Sequence, residues 1–116
     1  MDQTLCRLKN WGCDIDGAMA RVLNDEELLL SCIRQVAEDP CFEQLGKALK
    51  AGNAEEAFDA AHTLKGIAGN TGLTPLYALA VEIVEPLRAG HAQGLMPAYG
   101  RLLSDRDKLR QLLAEQ

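Results

Sequence analysis

The segment Asn53-Ala54-Glu55-Glu56-Ala57-Phe58-Asp59-Ala60-Ala61-His62-Thr63-Leu64-Lys65-Gly66-Ile67-Ala68-Gly69-Asn70-Thr71-Gly72 decides how this chain is read. It predicts one amphipathic helix with its own start and stop. Asn53 can cap the first turn, and Glu56 three residues on completes a capping-box-like pair in which Asn replaces the usual Ser or Thr. Gly72 supplies a left-handed stop, with Leu73 placed to pack back. In between, the chain turns about 100° per residue. With Leu64 at the centre of the buried face, Ala57, Ala60, Ala61, Ile67, Ala68 and Thr71 fall within roughly 60° of it. His62 falls about 160° away, toward solvent. Glu55, Phe58, Asp59, Gly66 and Gly69 share its side, with Lys65 on the flank. Lys65 and Gly66 are the i+3 and i+4 neighbours of His62, within reach of it or of anything bound to it.

Glycine in a helix interior costs about 1 kcal/mol relative to alanine. Two of them beside a histidine and a lysine, opposite the apolar stripe, mark a surface that something must approach closely. Gly46 and Gly100 also fall in predicted helices, where close packing of a neighbouring helix is the other account of such a residue.

Outward from this segment, further helices and no strands are expected, five or six helices in all. A short one runs from about Asp2 to Asn10 and ends at Trp11 and Gly12. A second opens at Asp16 as N-cap and carries Ala18, Met19, Val22 and Leu23. Asn24 is expected to cap the next, with Asp25, Glu26 and Glu27 in the first turn, where the helix dipole favours acids. Pro40 should kink or interrupt that helix, which resumes through Phe42, Leu45 and Leu49 and stops at Gly52. Beyond Gly72, Thr74 and Pro75 read as N-cap and first helical residue of a helix lined by Leu76, Leu79, Ala80, Ile83 and Leu87, with Pro86 bending its last turn. A polar loop around His91 leads to a final helix in which Leu95, Tyr99, Leu102, Arg106, Leu109 and Leu113 recur. Arg106 alone breaks that apolar pattern. Short loops between amphipathic helices predict antiparallel neighbours. The expected fold is therefore all-α: an up-down four-helix bundle over residues 24–116, with residues 1–23 as covering helices, in one domain spanning 1–116.

The 116 residues suffice for one core, and the net charge of −5 argues against nucleic acid or an anionic membrane as partner. Scarce aromatic and β-branched residues favour helices over a sheet. No apolar run reaches transmembrane length and no signal-like N-terminus is present, so a cytoplasmic monomer, or a cytoplasmic piece of a larger protein, is expected. Cys6, Cys13, Cys32 and Cys41 form no CxxC pair and lie far from both histidines, so reduced thiols in or near the core are expected rather than a zinc or redox site. A metal-binding bundle would need inward Glu and Glu-x-x-His ligands, which are absent. His91, in a predicted loop, reads as a solvated residue.

The chemistry open to the histidine face is phosphoryl transfer. Imidazole presents a nucleophilic nitrogen near neutral pH without an auxiliary base. Such transfer asks the protein mainly for positioning and charge stabilisation. Lys65 can place an ammonium beside the phosphoryl oxygens, and Gly66 and Gly69 remove side chains where a partner would close over His62. There is no P-loop, no Gly-rich nucleotide loop and no acidic cluster for Mg²⁺, so no kinase activity is expected.

His62-Thr63-Leu64-Lys65-Gly66, followed by Asn70 and Gly72, resembles the signature of the histidine-containing phosphotransfer (HPt) domains of bacterial phosphorelays. The likeness extends more loosely over Ile15 to Gln116. The resemblance implies a four-helix bundle that shuttles phosphoryl groups to and from receiver-domain aspartates, fed by a sensor histidine kinase or hybrid kinase. It makes His62 the phosphoryl acceptor, Lys65 its electrostatic partner and Gly66 the clearance residue. Phe58 becomes a hydrophobic docking contact or, alternatively, an edge-of-core residue, and Asp59 and Gly69 join the docking face. This chain has Ile67 where many members have a small polar residue, and Gly69 where they have alanine. No cofactor is implied on the chain itself; Mg²⁺ belongs to the receiver. The competing expectation is a helical adaptor in signalling whose histidine is never phosphorylated.

Overall fold

The computed structural model describes residues 1–115; the expected domain end at Gln116 lies outside them. The described residues form helices α1 (Gln3–Asn10), α2 (Ile15–Arg21), α3 (Glu26–Ala37), α4 (Cys41–Lys50), α5 (Ala54–Asn70), α6 (Thr74–Arg88) and α7 (Met96–Ala114). No strand occurs among them. The stretch expected as one helix interrupted near Pro40 is two, α3 and α4, which brings the number to seven. Proline disfavours the helical region for Asp39 before it and leaves no donor of its own. Pro40 takes the cap position with no side-chain bond of its own, and the Asp39 carboxylate before it accepts from the Cys41 N–H at 2.8 Å.

Helix α5 lies between α4 and α6, and α7 packs on α6 while also touching α1, α3 and α4. The bundle measures 43 × 24 × 20 Å. Its core runs through Phe42, Leu45, Leu64, Leu76, Ile83 and Leu102, all fully buried. None of the helices described is long and apolar enough to cross a membrane.

Several helix starts differ from expectation. Asp14, not Asp16, caps α2, accepting from the Gly17 N–H at 3.1 Å. Asp25, not Asn24, caps α3, accepting from the Leu28 N–H. Leu23 and Asn24 both sit at positive φ, 54° and 64°, so Asn24 serves the turn instead of the cap. At α6 the cap position falls to Leu73 with no side-chain bond; Thr74 is already helical and its hydroxyl reaches back to the Gly72 carbonyl at 3.4 Å.

The two ends of α5 are as read. Asn53 accepts from the Glu56 N–H at 3.1 Å. At the other end the Leu73 N–H donates to the Ala68 carbonyl at 2.9 Å and the Gly72 N–H to the Gly69 carbonyl at 3.3 Å, a Schellman turn with Gly72 at φ 72° and Leu73 fully buried behind it. The N-terminal helices clamp this turn. The Asp14 N–H donates to the Gly72 carbonyl at 2.8 Å, and Arg21 donates to the Gly69 and Asn70 carbonyls, both at 3.2 Å. A Cβ on Gly72 would collide with the Asp14 backbone.

Arg106 does not break the core. Its guanidinium lies 4.9 Å from the Phe42 ring centroid and pairs with Glu43 at 2.7 Å. Of the cysteines, Cys13 and Cys41 are buried and Cys32 is half-buried, but Cys6 is exposed because it lies on the outer face of α1; all four are free thiols. Burial pushes the Cys13 thiol up to about 11 and the Cys41 thiol higher still, the nearby Asp39 adding to the latter.

Candidate functional site

The face opposite the α5 core is built by the periodicity that buries Ala57, Ala60, Ala61, Leu64 and Ala68. Ile67, expected in the core, is half-buried at the rim where α3 meets α5, beside Cys32 and Val36. Thr71 is buried, with its hydroxyl satisfied by the Ile67 carbonyl at 2.7 Å. His62 is exposed near the middle of the helix, and Lys65 on its flank is half-buried. Lys65 forms no ion pair among the described residues.

Gly66, one turn past His62, is exposed, and a Cβ built on it meets nothing within 4 Å. Helix packing therefore does not require that glycine. Gly69 differs. A Cβ there would lie 3.3 Å from Cδ1 and Cε1 of Tyr77, so the space over Gly69 is filled by the α6 tyrosine instead of standing open. Asp59 is exposed and looks toward α4, lining a groove with Gln44, Lys47 and Thr63. Phe58 lies on the other flank, half-buried, its ring stacked on that of His62 with centroids 5.5 Å apart and planes 17° from parallel.

The residue that sequence reasoning missed is Arg88. Its guanidinium carbon sits 5.3 Å from the Phe58 ring centroid, so Arg88, Phe58 and His62 are linked through one aromatic ring. The signal was present: counting outward from the turn at Gly72, Phe58 is fourteen residues before and Arg88 sixteen after, which brings them together in an antiparallel hairpin. The α6 tyrosine over Gly69 follows from the same register. His91 is exposed in its loop, beside Gly52 and Met96. No group of three or more metal-ligating side chains occurs among the described residues.

An exposed imidazole, a neighbouring ammonium and an open backbone patch can receive and release a small anionic group under a docked partner. Comparison with known proteins bears on that chemistry. No curated protein and no solved structure matches the chain. The family model for the Hpt domain matches residues 27–115, from the first turn of α3 to the end of α7 and leaving out α1 and α2. Domains of this kind are phosphoryl carriers without a nucleotide site of their own, working between receiver domains and kinases in two-component phosphorelays. With the greater part of its length matched, this chain belongs to the Hpt domain family.

Proposed function

We propose that His62 is the phosphoryl acceptor and donor of this chain, exchanging with the aspartate of a receiver domain. The observation that carries the reading is the conjunction on α5 of an exposed His62 with open space over Gly66 one turn away. In the forward step the lone pair of the unprotonated imidazole nitrogen forms the N–P bond as the P–O bond to the receiver aspartate breaks. The carboxylate leaves with that electron pair, and the proton on the other ring nitrogen stays in place. Lys65 supplies charge to the phosphoryl oxygens, and Gly66 lets the receiver's site close over the ring. The divalent cation and the catalytic acids are the receiver's in this reading.

His62→Gln should abolish acid-labile phosphorylation while costing no more than about 1 kcal/mol of stability, as expected of an exposed side chain whose one packing partner is the Phe58 ring. The check is labelling by a phosphorylated receiver alongside thermal unfolding. Label persisting in the variant would make another residue the acceptor. A wild-type chain that binds receivers yet takes no label would be an adaptor.

A further inference from the structure

We infer that Phe58 and Arg88 are positioning residues for His62, holding its imidazole in the orientation that phosphoryl transfer requires. This rests on the carrier reading above and gives Phe58 a different task from docking a partner.

The geometry begins on α5. Phe58 and His62 are four residues apart on one helix, so their side chains meet on the surface. An exposed histidine ordinarily samples several rotamers. Here the ring lies nearly parallel to that of Phe58, at 17°, with the offset that a 5.5 Å centroid separation implies. That contact leaves the imidazole edge, where both nitrogens lie, free to face an incoming phosphorus. Phe58 is fixed in turn. It is half-buried at the junction of α5 and α6, in a shallow cleft with Ala54, Glu55, Leu87 and Arg88. Arg88, in the last turn of α6, places its guanidinium over the ring and is steered from its own helix by Glu85 at 3.7 Å. Phe58 is thus engaged by His62 along its own helix and by Arg88 from the next.

The chemistry gives this order a use. In-line attack needs the nitrogen lone pair aimed at phosphorus, and a ring held near that orientation saves the entropy of finding it. The attacking ring also gains positive charge, because its second nitrogen keeps its proton as the N–P bond forms. An aromatic face beside it stabilises that charge.

The test uses phosphoramidate as donor, since a molecule of that size needs no docked surface. The N–P bond to ammonia breaks, ammonia leaves, and the phosphoryl group passes to His62. Phe58→Leu removes the ring but keeps an apolar side chain in the cleft. Its phosphoramidate labelling rate should fall roughly three- to tenfold, the range that loss of one aromatic stack supports. Phe58→Tyr should restore the rate, because the ring is what matters. Arg88→Gln should give a smaller fall in the same direction, with Arg88→Lys recovering part of it. Arg88 has a side chain 52 % exposed, so these variants leave the core intact. Proton NMR of the His62 ring supplies a second readout that a packing defect elsewhere would not move. The shielding from the Phe58 face should disappear in Phe58→Leu and return in Phe58→Tyr.

An unchanged phosphoramidate rate in Phe58→Leu overturns the inference and returns Phe58 to docking. Identical His62 ring shifts with and without the Phe58 ring overturn it by removing the stack. Absence of label on wild-type His62, with the shift difference present, overturns the carrier reading and the positioning role with it, and the NMR signal shows that the stack itself was not at fault.

Discussion

The chain uses an arginine over a phenylalanine twice, and the two instances have opposite surroundings. Arg106 covers Phe42 where α4 meets α7, with its side chain only 12 % exposed. Tyr99 beside it is buried and donates its hydroxyl hydrogen to the Phe42 carbonyl at 2.8 Å, packed directly over Gly46. Arg88 covers Phe58 at the edge of the bundle, and the histidine stacked on Phe58 is exposed. Each region also has a glycine inside a helix. A Cβ on Gly46 would collide with the Tyr99 ring and hydroxyl, whereas one on Gly66 would meet nothing. The same residue types therefore do structural work in the first place and leave open space beside His62 in the second. Local sequence does not distinguish them; what packs over them does.

The largest effect should come from adding one methyl group at each glycine. Gly46→Ala must displace Tyr99, which has little free volume to enter and would give up its bond to Phe42. Overpacking of this kind costs about 1–3 kcal/mol, more than the propensity gain of alanine returns. Gly66→Ala should do the reverse and stabilise by up to about 1 kcal/mol, since nothing opposes the better helix former. Chemical denaturation of the two variants beside wild type reads the signs directly. The same sign for both would break the distinction between the regions.

Gly66→Leu sharpens it further. The helix should hold, but the side chain would stand where, on the proposed reading, a receiver closes on His62. Transfer from a phosphorylated receiver should fall by about tenfold or more, because small misplacements of reacting groups cost that much. Phosphoramidate labelling should fall far less. Full receiver transfer in this variant would show that the open patch is not an approach surface. Lys65→Ala should have a milder effect, slowing transfer by about two- to fivefold at low salt and less at high salt, as a half-exposed charge is screened. Unchanged single-turnover rates at low salt would remove Lys65 from the mechanism.

Most of the bundle was legible because it rests on periodicity and on stop signals that act locally. Asn53 and Gly72 bounded α5 correctly, since an Asn cap and a left-handed glycine need only their neighbours. The cap of α6 falls one residue early, on Leu73, which has no capping side chain. The starts of α2 and α3 were misplaced by one or two residues because two capping residues stood close together, Asp14 and Asp16 in one case and Asn24 and Asp25 in the other. There the choice turned on which backbone had to reverse direction, a tertiary fact. Arg106 read as a flaw in the stripe of α7 because its partners, Phe42 and Glu43, are more than sixty residues away in the chain. Gly66 and Gly69 looked alike on the helical wheel, and Tyr77 from the next helix separates them. Arg88 was missed for the same reason.

The smallest effect concerns the Arg106 node and its pH dependence. The Arg106 guanidinium, helped by the Glu43 backbone N–H, holds the Glu43 carboxyl below its ordinary value. A carboxylate with a lowered folded value contributes stability that is fully present above the unfolded value, about 4.3, and is lost as the pH falls through the folded value. The Glu43 side chain is 66 % exposed, so solvent screening limits the contribution to about 0.5 kcal/mol at neutral pH. Glu43→Gln should cost that much at pH 7 and nothing once the pH is below the folded value, where neither protein carries the charge. Asp105, raised by burial, contributes to the pH dependence with the opposite sign. It is common to both proteins and cancels in the difference. Urea unfolding of wild type and Glu43→Gln at a series of pH values measures the gap. A gap that stays constant into acid would mean that Glu43 acts through packing and not through charge. The variant should leave phosphoramidate labelling of His62 as it is, because Arg88 and not Arg106 attends that ring. A change in labelling would tie the two regions together and end the contrast between them.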